Sequence, residues 1–157
     1  MTKAKDIMQT DVIAVYEDEP LLKVHRLFVD EDISGAPVLD EDDEVVGVIS
    51  SRDLLGVMSQ EHDAAQEDRH YYTGSSSLDD REWLTDIEEF EDRLAKRAVS
   101  EAMTTEVISV APDTTVPEIV KLLLRHRIHR VLVLDDEDDE GPLVGLISLF
   151  DLVTLLR

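Results

Sequence analysis

Apolar positions fall along this chain in two similar series. Residues 12–15 form a short β-rich run, and from about Pro20 onward Leu21, Val24, Leu27 and Phe28 recur at helical spacing. Two further apolar runs, 36–39 and 45–50, flank the acidic stretch 40–44, the pattern of two strands joined by a solvated hairpin. A closing helix is predicted from Arg52 to about Met58. The series then returns: a strand at 107–110, and a helix from near Val116 with Pro117 in its first turn, where proline is accepted. Strands at 131–134 and 143–148 follow, and then a helix from Phe150 towards the C-terminus. Each unit reads strand, helix, strand, strand, helix, so the expected class is mixed α/β (α+β). One βαββα unit of about fifty residues buries too little surface to stand alone. The two are therefore expected to pack around a pseudo-twofold axis.

The repetition holds residue by residue. At a constant offset of 95, Met8, Thr10, Val12, Ile13, Val15 and Asp18 recur as Met103, Thr105, Val107, Ile108, Val110 and Asp113. Leu27, Ile33, Val38, Leu39 and Asp40 likewise recur as Leu122, Ile128, Val133, Leu134 and Asp135. Three extra residues in the second acidic loop move the offset to 98. Gly47-Val48-Ile49-Ser50-Ser51-Arg52-Asp53 then matches Gly145-Leu146-Ile147-Ser148-Leu149-Phe150-Asp151. The predicted organisation is repeat 1 over 1–58, a spacer over 59–98, and repeat 2 over 99–157.

The spacer opens as a polar stretch through Tyr72-Thr73-Gly74-Ser75-Ser76-Ser77. A helix over about 79–98 is expected next, since Trp83, Ile87, Phe90, Leu94 and Ala98 step by three and four along one face. Glu89 with Arg93, and Asp92 with Lys96, are placed to pair along its solvent side. That apolar face either lies on the chain's own core or meets a second subunit.

Composition narrows the partners. The net charge is −22, from 37 acids against 15 basic residues, which disfavours nucleic acid and anionic membrane surfaces. Such a surface suits a salt-rich cytoplasm, where the screening length falls to about 3 Å at 1 M salt. No apolar run approaches membrane-spanning length, and no signal segment opens the chain. The absence of Cys excludes thiol chemistry and fits a cytoplasmic location. The acidic loops 40–44 and 135–140 invite a calcium reading. A calcium-loop template from Asp136 fails at its twelfth position, where Ile147 stands. His62 and His70 have no second ligand pair, so no metal site is expected.

Candidate chemistry gathers at the repeated turn. In each copy an apolar strand stops at a Ser, and an Asp three residues later opens a helix. Ser50 with Asp53, and Ser148 with Asp151, then have two readings. They are helix caps, or they combine an anion-favouring helix start with a carboxylate for vicinal hydroxyls, a nucleotide site. One basic cluster stands out in this acidic chain: Arg125-His126-Arg127-Ile128-His129-Arg130. The dipole of the preceding helix accounts for its first residues. His129 and Arg130 lie past that helix, where together they can hold a phosphate. The first unit has Ser34 and Gly35 at those positions.

These markers in order, twice, resemble a tandem pair of CBS domains, a Bateman module. They are Met8 and Thr10, Met103 and Thr105, Gly35-Ala36-Pro37-Val38, His129-Arg130-Val131-Leu132-Val133, and the two Gly-apolar-Ile-Ser-x-x-Asp endings. The resemblance covers residues 5–58 and 99–157. It implies two related clefts between the repeats that take adenosine compounds: AMP, ADP, ATP or S-adenosylmethionine, with Mg2+ as a candidate companion. It implies Asp53 and Asp151 as ribose ligands, with Ser50 and Ser148 in the same pockets. It further implies Thr10, Ala36, Arg52, Thr105 and Val131 as ligand-lining positions. The pair His129-Arg130 is similar to phosphate contacts in the family's kinase γ subunits, contributed by the repeat opposite the ribose acid. Asp53, His129 and Arg130 are thus expected to share one cleft, and Asp151 to face Ser34 and Gly35 in a cleft without the basic pair. The family also implies a homodimer and a separate effector protein that reads the ligand state.

The leading expectation is therefore a non-catalytic sensor of adenosine nucleotides. The alternative is a dimerisation or interaction adaptor with vestigial clefts. An enzyme is remote, since the chain has no G-x-S-x-G elbow and no H-E-x-x-H pair.

Overall fold

The structure is a computed structural model that describes residues 1–59, 87–135 and 141–156. The polar part of the spacer, His62, His70, Trp83 and the acidic loop from Asp136 lie outside the described residues. Repeat 1 runs α1 (Ala4–Ile7), β1 (Val15–Tyr16), α2 (Leu21–Glu31), β2 (Gly35–Leu39), β3 (Val45–Ser50) and α3 (Ser51–Ser59). The spacer contributes α4 (Ile87–Ala95). Repeat 2 runs through a 3-10 turn (Val99–Glu101), β4 (Ser109–Val110), α5 (Val116–His126), β5 (Arg130–Leu134), β6 (Leu143–Ser148), α6 (Leu149–Val153) and a last 3-10 turn (Thr154–Leu156). The expected mixed α/β architecture is present, with one three-stranded sheet per unit in matching order, β1-β2-β3 and β4-β5-β6. In each sheet the first strand is parallel to the second, and the second is antiparallel to the third. The register breaks after Val38 in one and after Val133 in the other, positions 95 apart.

The first strands are shorter than the apolar runs predict. Residues 12–14 and 107–108 are not in the sheets, because the chain is crossing between the two units there. The crossing is reciprocal. Ala4 N–H donates to Thr114 O at 2.8 Å, and Val99 N–H donates to Glu19 O at 2.9 Å. Lys5 N–H reaches Pro112 O as Ser100 N–H reaches Glu17 O, and Val116 N–H reaches Thr2 O as Leu21 N–H reaches Arg97 O. Gln9 bridges Leu146 on β6, and Thr104 bridges Val48 on β3. Every pair maps onto its twin through the repeat offsets, the self-complementarity that a twofold imposes. Each unit's lead segment is thus seated on the opposite unit.

Two apolar cores follow this exchange. Ala4 is buried with Ile119, Leu123, Ile128, Val131 and Ile147 of repeat 2, together with Val48 from β3. Val99 and Ala102 are buried with Leu21, Val24, Phe28, Val38, Ile49 and Leu54 of repeat 1. Successive side chains of a strand point to opposite faces, so β3 gives Ile49 to its own core and Val48 to the other. Burial on both faces explains the near-continuous apolar run 45–49. The spacer helix lies on its own chain: Phe90 and Leu94 of α4 are buried in the repeat 1 core. Of the two predicted ion pairs on α4, Arg93 with Glu89 is formed at 2.8 Å.

Candidate functional site

Helices α2 and α5 end alike. Asp32 (φ 53°) and Arg127 (φ 55°) adopt the left-handed conformation, and Ile33 and Ile128 N–H groups donate back to Phe28 O and Leu123 O at 3.0 Å. This helix ending carries an apolar residue just past the turn. Ile128 is indeed buried, and the chain leaves it directly into the next strand. The two residues between that anchor and the strand interior are Ser34-Gly35 in unit 1 and His129-Arg130 in unit 2. Their position is therefore dictated by the helix end.

Each of these dipeptides is tied to its own unit's Ser-x-x-Asp turn. Gly35 pairs with Ser50 and Arg130 with Ser148 across the strands. Ser51 N–H donates to Ser34 O at 2.9 Å, and Leu149 N–H donates to His129 O at 2.8 Å. The turns themselves are reciprocal caps. Asp151 Oδ2 accepts from Ser148 N–H at 2.8 Å and from Ser148 Oγ at 3.1 Å, while Asp151 N–H lies 3.4 Å from Ser148 Oγ. Asp53 and Ser50 make the same set at 2.8, 3.2 and 3.4 Å. Both carboxylates thus perform the capping role. They differ in surroundings: Asp53 is only 2% exposed, whereas Asp151 is half-buried and also receives Gln9 Nε2, 3.1 Å from each of its oxygens.

A cleft of about 490 Å³ opens where the units meet. From unit 1 it is lined by the lead loop, Gln9 and residues 11–13, and by the helix end, residues 32–35, with Pro37. From unit 2 it is lined by His129, Arg130, Leu146, Ser148, Leu149 and Phe150. Of the expected site residues, His129, Arg130 and Ser148 line this cleft, and Asp151 is joined to it through Gln9. Ala36 and Val131 are buried in the two cores behind it. Thr10 lines a separate small hollow with Asp43 and Pro142, and Thr105 is exposed. Ser50, Arg52 and Asp53 are not among its walls. The basic pair lines the cleft of Ser148, Ser34 and Gly35, and strand pairing sets Arg130 beside Ser148 of its own unit.

Sequence reasoning did not single out Gln9, Asp11, Asp32 or Phe150. Phe150 carried a usable signal, being one of three Phe residues in the chain and 74% exposed at the cleft. Gln9 carried none, since its role depends on a contact 142 positions away. Among the described residues no group of three or more His, Asp or Glu is placed to hold a metal ion, and no helix is long and apolar enough to cross a membrane.

The chain is similar to known proteins along nearly its whole length. An uncharacterized Methanocaldococcus jannaschii protein, MJ1426, is 38% identical over 97% of this chain and 89% of its own length. The SNF1-related protein kinase regulatory subunit gamma-1 of Arabidopsis thaliana is 32% identical over 96% of this chain, which spans 33% of that subunit. The crystal structure of CBSX2 in complex with AMP superposes with a TM-score of 0.67 at 21% identity, covering 98% of this chain and 95% of that one. Residues 4–60 and 99–157 both match the CBS domain, and the chain belongs to the CBS-domain family as a tandem pair.

Proposed function

We propose that this protein is a non-catalytic regulatory module that binds an adenosine compound between its repeats and signals to a separate partner. The observation that carries the reading is the cleft walled by both units, with a Ser–Asp turn on one side and a His-Arg pair beside it. Ser148 and Asp151 would take the ribose, and Arg130 with His129 the phosphate. Val12, Ile13, Pro37, Leu146 and Phe150 offer apolar walls for a purine. Ala36 would shape this cleft from behind, while Thr10 would contribute from the adjoining hollow that shares Val12. Ser50, Arg52, Asp53, Thr105 and Val131 would serve the pseudo-equivalent site of the other unit. Two relatives support the ligand class and role: CBSX2 was crystallised with AMP, and the Arabidopsis relative is a kinase regulatory subunit.

A ligand that touches both units biases their relative packing, which an effector can read. The exchanged lead segments make that packing a property of the whole chain. Homodimer formation belongs to the same reading. It is supported by an apolar groove on α5 and α6, lined by Val116, Val120, Leu124, Leu152, Val153 and Leu156 among others, with almost no polar surface. A salt-rich cytoplasm remains the setting that the charge of −22 favours.

Calorimetry in molar KCl against AMP, ADP, ATP and S-adenosylmethionine, with and without Mg2+, tests the proposal. At least one compound should bind with a sub-millimolar Kd, one class of site should be lost in Asp151→Ala, and light scattering should give twice the chain mass. The adaptor reading draws on the two carboxylates already engaged as caps. It would be supported by a dimer that binds none of the four below millimolar, and that outcome removes the sensor.

A further inference from the structure

The amide of Gln9 sits where a ribose site needs hydroxyls. Its Nε2 lies 3.1 Å from Asp151 Oδ1 and 3.1 Å from Oδ2, so one NH2 group donates to both oxygens of the carboxylate. A vicinal diol satisfies a carboxylate in the same way, with two donors a short distance apart. Gln9 and Ser148 both line the cleft, so the contact stands inside the space that a ligand would enter.

The latch is anchored independently of its side chain. Gln9 N–H donates to Leu146 O at 2.8 Å, and Leu146 N–H donates to Gln9 O at 2.9 Å. The matching position of the second unit is Thr104, whose backbone makes the same two bonds to Val48 at 2.8 and 2.9 Å. The repeat therefore keeps the backbone bridge in both units but places an amide only at position 9. A threonine carries a hydroxyl and a methyl, and it lacks both the reach and the paired donors.

We propose that Gln9 sets affinity at the Asp151 side of the cleft, its amide occupying the diol position until a ligand displaces it. This inference rests on the adenosine reading of the cleft. Displacement exchanges two protein hydrogen bonds for two ligand hydrogen bonds. The apparent affinity is thereby lowered by the fraction of molecules in which the latch is closed. Gln9 also sits just past α1, whose Ala4 is packed into the repeat 2 core, so release of the amide frees one tie between the lead segment and α6.

Calorimetry with AMP on the full chain tests this with Gln9→Ala and with Gln9→Thr, which copies the other unit. The Gln9 side chain is exposed and the backbone bridge does not need it, so both variants should keep the wild-type melting temperature. Both are expected to bind AMP roughly threefold to tenfold more tightly. AMP binding that is unchanged or weakened in Gln9→Ala overturns the latch while leaving the adenosine reading intact. Absence of binding by wild type and variants alike overturns the reading and the latch together.

Discussion

At Gly47 the space for a side chain is taken by another part of the chain. A Cβ there would stand 2.7 Å from the backbone O of Thr104 and 3.0 Å from Met103 Sδ. At Gly145 it would stand 2.5 Å from Met8 Sδ and 3.0 Å from Gln9 O. The glycine of each repeated turn and the methionine of each lead segment are thus two sides of one contact, made between units. The clashes differ in kind, because the thioether of Met8 can rotate aside while the Thr104 carbonyl is fixed in a bridge. Gly47→Ala should therefore cost more stability than Gly145→Ala, about 2–3 against about 1 kcal/mol, read from urea midpoints. Equal costs would mean that the two contacts give way alike. Both motifs were legible in the sequence, but their partnership was not, because nothing local says that Met103 faces Gly47. The Ser–Asp turn was legible as both a cap and a candidate ligand; the capping half is built in both units.

Helix α4 illustrates what periodicity does and does not carry. The stepping of Phe90 and Leu94 predicts an apolar face, and burial in the repeat 1 core decides between the two expected homes for it. Where α4 crosses α2, His25 meets Phe90 edge-on, with centroids 5.3 Å apart and planes at 87°. Burial lowers the His25 pKa below its ordinary 6.5; Glu91 opposes the shift and Arg26 adds to it. With the folded value below the unfolded one, the neutral ring is favoured by folding. Its contribution is complete above about pH 6.5 and is lost as pH falls below that, because the unfolded chain takes the proton first. Melting temperature should thus fall between about pH 7.5 and 5.5, and the slope should be shallower in His25→Leu. Identical slopes would remove His25 from the account. The elements that pattern reasoning missed are short helical ones, α1 and the 3-10 turn Val99–Glu101, at four and three residues. A segment below one full heptad has no period to read. Residues 12–13, expected in a strand, are cleft wall instead, since apolar character suits either setting.

At the scale of the whole molecule, the duplication becomes an interlock. Residues 2–9 lie on repeat 2 and residues 97–104 on repeat 1, each held by the reciprocal backbone bonds. Neither sequence repeat contains its complete core, so the pair should fold as one cooperative unit. The ion pairs of Lys3 and Lys5 with Asp113 add little to that interlock, being exposed and screened by salt. The proposed function also belongs to this scale, because the cleft takes residues 11–13 and 32–35 from one repeat and His129, Arg130 and Ser148 from the other. The basic pair was visible in the sequence as a charge anomaly. Which turn it lies beside was not, because that depends on the register of β5 against β6. The most direct measurement compares AMP with adenosine, by calorimetry at one fixed salt concentration, on wild type and on Arg130→Ala. The account expects Arg130→Ala to weaken AMP by about tenfold to a hundredfold, as the loss of a charged hydrogen bond implies, while adenosine stays within about twofold. An AMP affinity untouched by the substitution, or an equal loss for both compounds, would contradict it.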